Sequence, residues 1–94
     1  MPDISYPSLT ISTEYPGTAP QEVETQISQP LEQQLAIVSN LERINSISRA
    51  EQSDIVMEFS WGSNMSEIAQ EIREKLDRVR LPVEATRPLI LRYD

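Results

Sequence analysis

A chain of 94 residues with 38% hydrophobic and 24% charged residues is sized for one small globular domain with a single core. Its net charge of −7, from 15 acids against 8 bases, disfavours nucleic acid and anionic lipid as partners, because counterion release cannot drive either contact. With no histidine and no cysteine there is no imidazole base, no thiolate and no soft metal-ligand set.

The remaining acids lie mostly on helix faces and strand exteriors, so no carboxylate pair has a predicted cleft in which one partner could be desolvated. No catalytic residue, no metal site and no cofactor are expected. Apolar runs stop at three or four residues, as in Leu89-Ile90-Leu91, against the ~20 needed to span a bilayer. No basic-then-apolar leader opens the chain. Arg73, Lys75, Arg78, Arg80 and Arg87 are interleaved with Glu71, Glu74, Asp77 and Glu84, the pattern of a solvated, ion-paired helix face.

Residues 1–7, MPDISYP, are an extended lead-in with two prolines. Residues 8–15 alternate, with Leu9, Ile11, Thr13 and Tyr15 on one side and Ser8, Thr10, Ser12 and Glu14 on the other, which predicts a half-buried strand. Pro16-Gly17 marks a turn, Thr18 and Gln21 stand at capping-box spacing, and Pro20 suits a first helical turn. Val23, Ile27, Leu31, Leu35 and Val38 then predict an amphipathic helix of about five turns. Pro30 should kink it, and Asn40 should stop it.

Residues 41–50 are a weaker strand, because Leu41, Ile44 and Ile47 do not keep period two; a bulge or an edge position is expected. Residues 51–54 are a polar hairpin loop. Residues 55–61 alternate, with Ile55, Met57, Phe59 and Trp61 on the core side. Gly62 ends this strand. Asn64 and Glu67 again have capping-box spacing, and a second helix is expected over about 65–80, with Ile68, Ile72, Leu76 and Val79 inward and Pro82 as its terminator. Residues 88–94 are a last strand.

The order β-α-β-β-α-β is that of an α+β, ferredoxin-like split βαβ domain over residues 8–94: a four-stranded antiparallel sheet with two helices on one face. Right-handed crossovers give the strand order 4-1-3-2. Thr10, Ser12, Glu14, Val56, Glu58, Ile90 and Arg92 are then expected on the bare face.

Gly17 raises one further question, since a glycine ahead of a helix can cradle a phosphate. That chemistry wants several N–H groups closing on the anion, or a Lys and Ser/Thr at fixed offsets. PGTAPQ has a single glycine, Pro20 removes a donor, and no arginine is present for acylphosphatase-type chemistry. The glycine is a turn.

The segments YPSLTISTEYPGTAPQEVETQISQPLEQQL, RINSISRAEQSDIVMEFSWGSNM and IREKLDRVRLPVEATRPLILRYD closely resemble resistance–nodulation–division (RND) transporters of the hydrophobe/amphiphile efflux branch. The matching region is the first periplasmic porter subdomain after the first transmembrane helix. The resemblance implies a soluble periplasmic segment of a bacterial inner-membrane pump that exchanges protons for drugs and other amphiphilic small molecules. It implies as partners the other porter subdomains and transmembrane helices of the same chain, two further protomers of a homotrimer, a periplasmic adaptor and an outer-membrane channel. By the same resemblance, Ser12, Asp54, Val56, Ile90 and Arg92 would contribute to the substrate path. Ser66, Gln70, Glu74 and Asp77, with Leu81 beyond them, would face the trimer pore from the second helix. The competing reading is a free-standing ferredoxin-like domain that senses a ligand or dimerises through its sheet.

Overall fold

A computed structural model of the chain describes residues 6–93; residues 1–5 of the expected lead-in lie outside the described residues. The strands are β1 (Ser8–Glu14), β2 (Leu41–Arg49), β3 (Gln52–Phe59) and β4 (Leu89–Tyr93). A first helix occupies residues 20–35 and a second Met65–Leu76. The sheet order is β2-β3-β1-β4 with all pairs antiparallel, as the element order requires of a split βαβ domain.

The core lies between the helices and one sheet face. Leu9 and Ile11 of β1 and Ile55, Met57 and Phe59 of β3 pack against Val23, Ile27, Leu31 and Leu35, all at most 1% exposed. Burying each such side chain contributes about 1.5–3 kcal/mol relative to leaving it exposed.

The first helix is not a simple α-helix. Two α segments, Pro20–Val23 and Gln29–Leu35, flank a π turn at Glu24–Ser28, in which the Gln29 N–H donates to the Glu24 carbonyl. The spacing of its apolar positions explains why. Three successive steps of four residues would carry Leu35 about 120° round an ideal α-helix from Val23, off the core face. One wider turn absorbs the surplus residue and returns both to the same side. It also sits directly ahead of Pro30, which has no N–H to offer and whose ring would crowd the Gln26 carbonyl in a tighter turn. The irregularity expected at Pro30 is therefore a π turn.

Several local expectations change. Thr18 does not cap the first helix; the cap position is Ala19, with no side-chain bond, and the Thr18 hydroxyl donates instead to the Tyr15 carbonyl at 2.6 Å. Residues 51–54 are not a loop. Arg49 pairs with Gln52, so only Ala50 and Glu51 join β2 to β3. Glu51 adopts a left-handed φ of 66°. Three bonds to the Tyr15–Thr18 turn hold it there: Tyr15 N–H to its carbonyl, its own N–H to the Thr18 carbonyl, and Gly17 N–H to its carboxylate at 2.7 Å. Gly17 has φ 76°, which explains why this turn takes a glycine.

β3 ends at Phe59, because residues 60–63 form a turn in which the Ser63 N–H and hydroxyl donate to the Ser60 carbonyl. Trp61 consequently leaves the core side and is 55% exposed, its ring 5.5 Å from that of Tyr6. The second helix stops at Leu76 with Asp77 as its C-cap, short of residue 80 and well before Pro82. Its start is as expected at Asn64, whose side-chain oxygen accepts from the Ser66 and Glu67 N–H groups. β2 is an edge strand with a bulge between Leu41 and Arg43, again as expected.

Candidate functional site

The ladder registers define the face of the sheet turned away from the helices. One row runs Asn45, Val56, Thr10, Leu91 across β2, β3, β1 and β4; the next runs Ile47, Asp54, Ser12, Leu89. These two central rows mix apolar and hydroxyl side chains. Charged and polar residues flank them: Arg43 opposite Glu58 on one side, and Arg49, Glu14 and the neutral amide Gln52 on the other.

Of the five residues expected on the substrate path, Ser12, Asp54 and Val56 are brought together here. Ile90 and Arg92 are not. Ile90 pairs with Ile11 and packs on the core, and Arg92 pairs with Leu9, which puts both on the helix side. Their places are taken by Leu89 and Leu91, which are 62% and 37% exposed. The run Leu89-Ile90-Leu91 is apolar in either phase, so only pairing with β1 decides which residues face out. Ile47, 45% exposed, is a further face residue that the sequence reading missed. The bulge after Leu41 explains it, since beyond that point Ile44, Ser46 and Ser48 turn inward and Ile47 outward.

Asp54 is not a free carboxylate. Arg49 Nη1 lies 2.7 Å from its Oδ2, and Gln52 Nε2 donates to both its oxygens at 3.1 and 3.2 Å. Its side chain is only 16% exposed, so this pair is better shielded from solvent than the Arg43–Glu58 contact at 3.9 Å. The centre of the face is left to hydroxyl, amide and aliphatic groups, which can hold an apolar body and orient it weakly. Among the described residues no group of three or more Asp, Glu, His or Cys is placed to hold a metal ion.

Behind the sheet a polar seam joins the first helix to β2 and β3. Ser28, buried in the π turn, lies 2.8 Å from the hydroxyls of both Ser48 and Ser53, and Ser48 also donates to Glu24. Ser46 donates to Glu32 one turn further on. Inward serines on β2 are thus matched by helix acceptors.

On the second helix, Ser66, Gln70 and Glu74 are exposed on the side away from Ile68 and Ile72, and Asp77 is exposed at its C-cap. Leu81 does not extend this stripe; the helix has ended, and Leu81 packs against the core. No helix among the described residues is long and apolar enough to cross a membrane.

Residues 1–94 match the family model described as the AcrB/AcrD/AcrF family. The chain belongs to this family of resistance–nodulation–division efflux transporters. It is 34% identical over 93 residues to the swarming motility protein SwrC of Bacillus subtilis (strain 168), covering 99% of this chain and 9% of that protein. It is 32% identical over 79 residues to the nickel-cobalt-cadmium resistance protein NccA of Alcaligenes xylosoxydans xylosoxydans, covering 84% of this chain and 7% of that one. Its fold is similar to a crystal structure of a heavy metal efflux pump, with TM-score 0.85 and 31% identity over 96% of this chain and 9% of the pump. The chain thus spans under a tenth of the length of these family members. The hydrophobe/amphiphile branch is not supported by them, since by name one is a metal resistance protein and another a heavy metal efflux pump.

Proposed function

We propose that this chain is a periplasmic porter subdomain of a bacterial inner-membrane, proton-driven efflux pump, non-catalytic by itself. Its bare sheet face forms part of the wall along the substrate path. Its second helix, through Ser66, Gln70, Glu74 and Asp77, faces the pore of a homotrimer. The observation that carries this reading is the uncovered face itself. A domain whose helices all lie on one side leaves Ser12, Val56, Ile47, Leu89 and Leu91 for something outside it. Sibling porter subdomains, transmembrane helices of the same chain, a periplasmic adaptor and an outer-membrane channel complete the machine.

The cargo best suited to this face is an amphiphilic small molecule, because its centre is aliphatic and hydroxylic and its one central carboxylate, Asp54, is engaged by Arg49. A metal cargo is the second reading, favoured by the likeness to NccA and to a heavy metal pump. The test is efflux by the full-length parent in cells stripped of their own pumps, measured for ethidium and for nickel side by side. Val56→Arg should reduce ethidium efflux several-fold at unchanged protein level. Unchanged efflux of both cargoes would remove the face from the substrate path, and loss of nickel export alone would favour the metal reading.

A further inference from the structure

A concavity lies beside β4, with a lining that takes in both the core-side Ile90 and the outward Leu89. Between the end of the second helix and β4 the chain crosses residues 77–88 with no helix or strand, and beneath this strap is a groove of about 670 Å³. Its floor is apolar and continuous with the core: Leu76, Val79, Leu81, Ala85 and Ile90 line it and pack on the buried cluster. The strap is tied at both ends. Val79 N–H donates to the Leu76 carbonyl, and Thr86 N–H to Glu14, whose own N–H is bonded to the Thr86 hydroxyl at 3.0 Å. Among the described residues, 80–84 make no backbone hydrogen bond to sheet or helix, so the groove has fixed edges and a free span.

The charge around this groove reverses that of the chain. Residues 73–92 hold six of the 8 bases and three of the 15 acids, in a protein of net charge −7. Two arginines, Arg73 and Arg87, line the groove together with one acid, Asp77. Arg87 is held only loosely, with Asp77 at 4.0 Å and both side chains largely in water, and Arg73 has no ion pair among the described residues. Two guanidinium groups, one unpaired and one only weakly paired, beside an aliphatic floor suit an acid group attached to an apolar body, because a guanidinium binds a carboxylate or sulfate oxygen pair through parallel N–H bonds.

We propose that this groove is a binding site for an anionic amphiphile, its acid group between Arg73 and Arg87 and its apolar body on Val79, Ala85 and Ile90. The volume is within the ~300–1,000 Å³ of small-molecule sites. The site shares Leu89 with the proposed substrate face, and its argument from Arg73 and Arg87 does not depend on that reading.

The experiment uses the 94-residue chain, with cholate below its micellisation concentration followed by ¹H–¹⁵N correlation spectra. Saturable shifts confined to residues 73–90 are expected, and raising the salt should weaken them by screening. Arg73→Gln/Arg87→Gln should weaken the dissociation constant at least about tenfold, as expected for losing charge-assisted bonds. Ala85→Phe, which fills the groove with both arginines intact, should abolish the shifts and covers the case in which the double variant does not fold. The uncharged dodecyl maltoside and the cationic dodecyltrimethylammonium should bind at least about tenfold more weakly than cholate. Absence of saturable shifts, shifts centred on Ser12, Val56 and Leu91, or equal affinity for the cationic amphiphile would each overturn the proposal.

Discussion

The two faces of the one sheet use similar side chains to different ends. Towards the helices, β1 and β3 present Leu9, Ile11, Ile55, Met57 and Phe59, with Thr13 and Ser53, and Ser46 and Ser48 of β2, along one end. Away from them the same strands alternate to Ser8, Thr10, Ser12 and Val56, joined by Ile47, Leu89 and Leu91 at the edges. Hydroxyls and aliphatics occur on both sides, and what separates the faces is partnership. Inward serines bond Ser28, Glu24 or Glu32, with the buried Thr13 hydroxyl the exception that finds no partner, whereas the outward Ser8 and Ser12 are left for water or a neighbour. An aliphatic residue inward is held by the core, and one outward is available to whatever docks there. The same composition is stabilising on one side and, on the proposed reading, functional on the other.

The largest effect should come from emptying the inner face. Ile55→Ala removes a fully buried side chain and should cost about 3–4 kcal/mol in urea denaturation of the 94-residue chain. A cost near that of a surface change would mean that the helices do not close over β3 as described. Next is the polar seam. Ser28→Ala leaves the buried Ser53 hydroxyl without its helix partner and should cost about 1–3 kcal/mol. A neutral result, with Ser53 bonded elsewhere in a crystal structure of the variant, would show that the seam tolerates rearrangement.

Pro30→Ala tests the π turn. An interior proline costs a helix about 3 kcal/mol relative to alanine. Here the apolar spacing already demands a wide turn, so the gain in thermal or chemical stability should be under about 1 kcal/mol. Recovering nearly the whole difference would mean that the proline, and not the spacing, distorts the helix. The smallest effect belongs to the outer face: Leu91→Ser should alter stability by no more than about 0.5 kcal/mol. Calorimetry showing a loss comparable to Ser28→Ala would erase the contrast between the faces.

Much of this was legible from residue types alone. The alternation Leu9, Ile11, Thr13 fixes which side of β1 is inside, and the five apolar positions from Val23 to Val38 are all buried. Element order then leaves little freedom in strand order. What was not legible depends on contacts distant in sequence. β4 has two possible phases, and its partner β1 chooses one, which exchanges Ile90 and Arg92 for Leu89 and Leu91 on the candidate face. Glu51 carries no turn signature of its own; the turn around Gly17, over thirty residues earlier, holds its backbone in a left-handed conformation. Trp61 follows the alternation of β3, but the turn that begins at Ser60 takes it off the strand. In each case local pattern was sound and a non-local partner decided.

The pairing of Ser8 with Tyr93 places the entrance and exit of the domain on adjacent strands, directly across one rung of the ladder. Opposed residues in an antiparallel pair have Cα atoms about 4.5–5.5 Å apart, so a longer chain could leave this domain almost where it came in. That arrangement also sets its mechanics. A force separating the two ends would load the β1–β4 ladder like a zip, one hydrogen bond at a time, and not in shear along its length. β4 would peel first, while β1 remained clamped to β3 from Ser8 to Glu14. A displacement imposed by the rest of a parent chain would therefore be absorbed at this one edge, and the core under the helices would travel as a solid body.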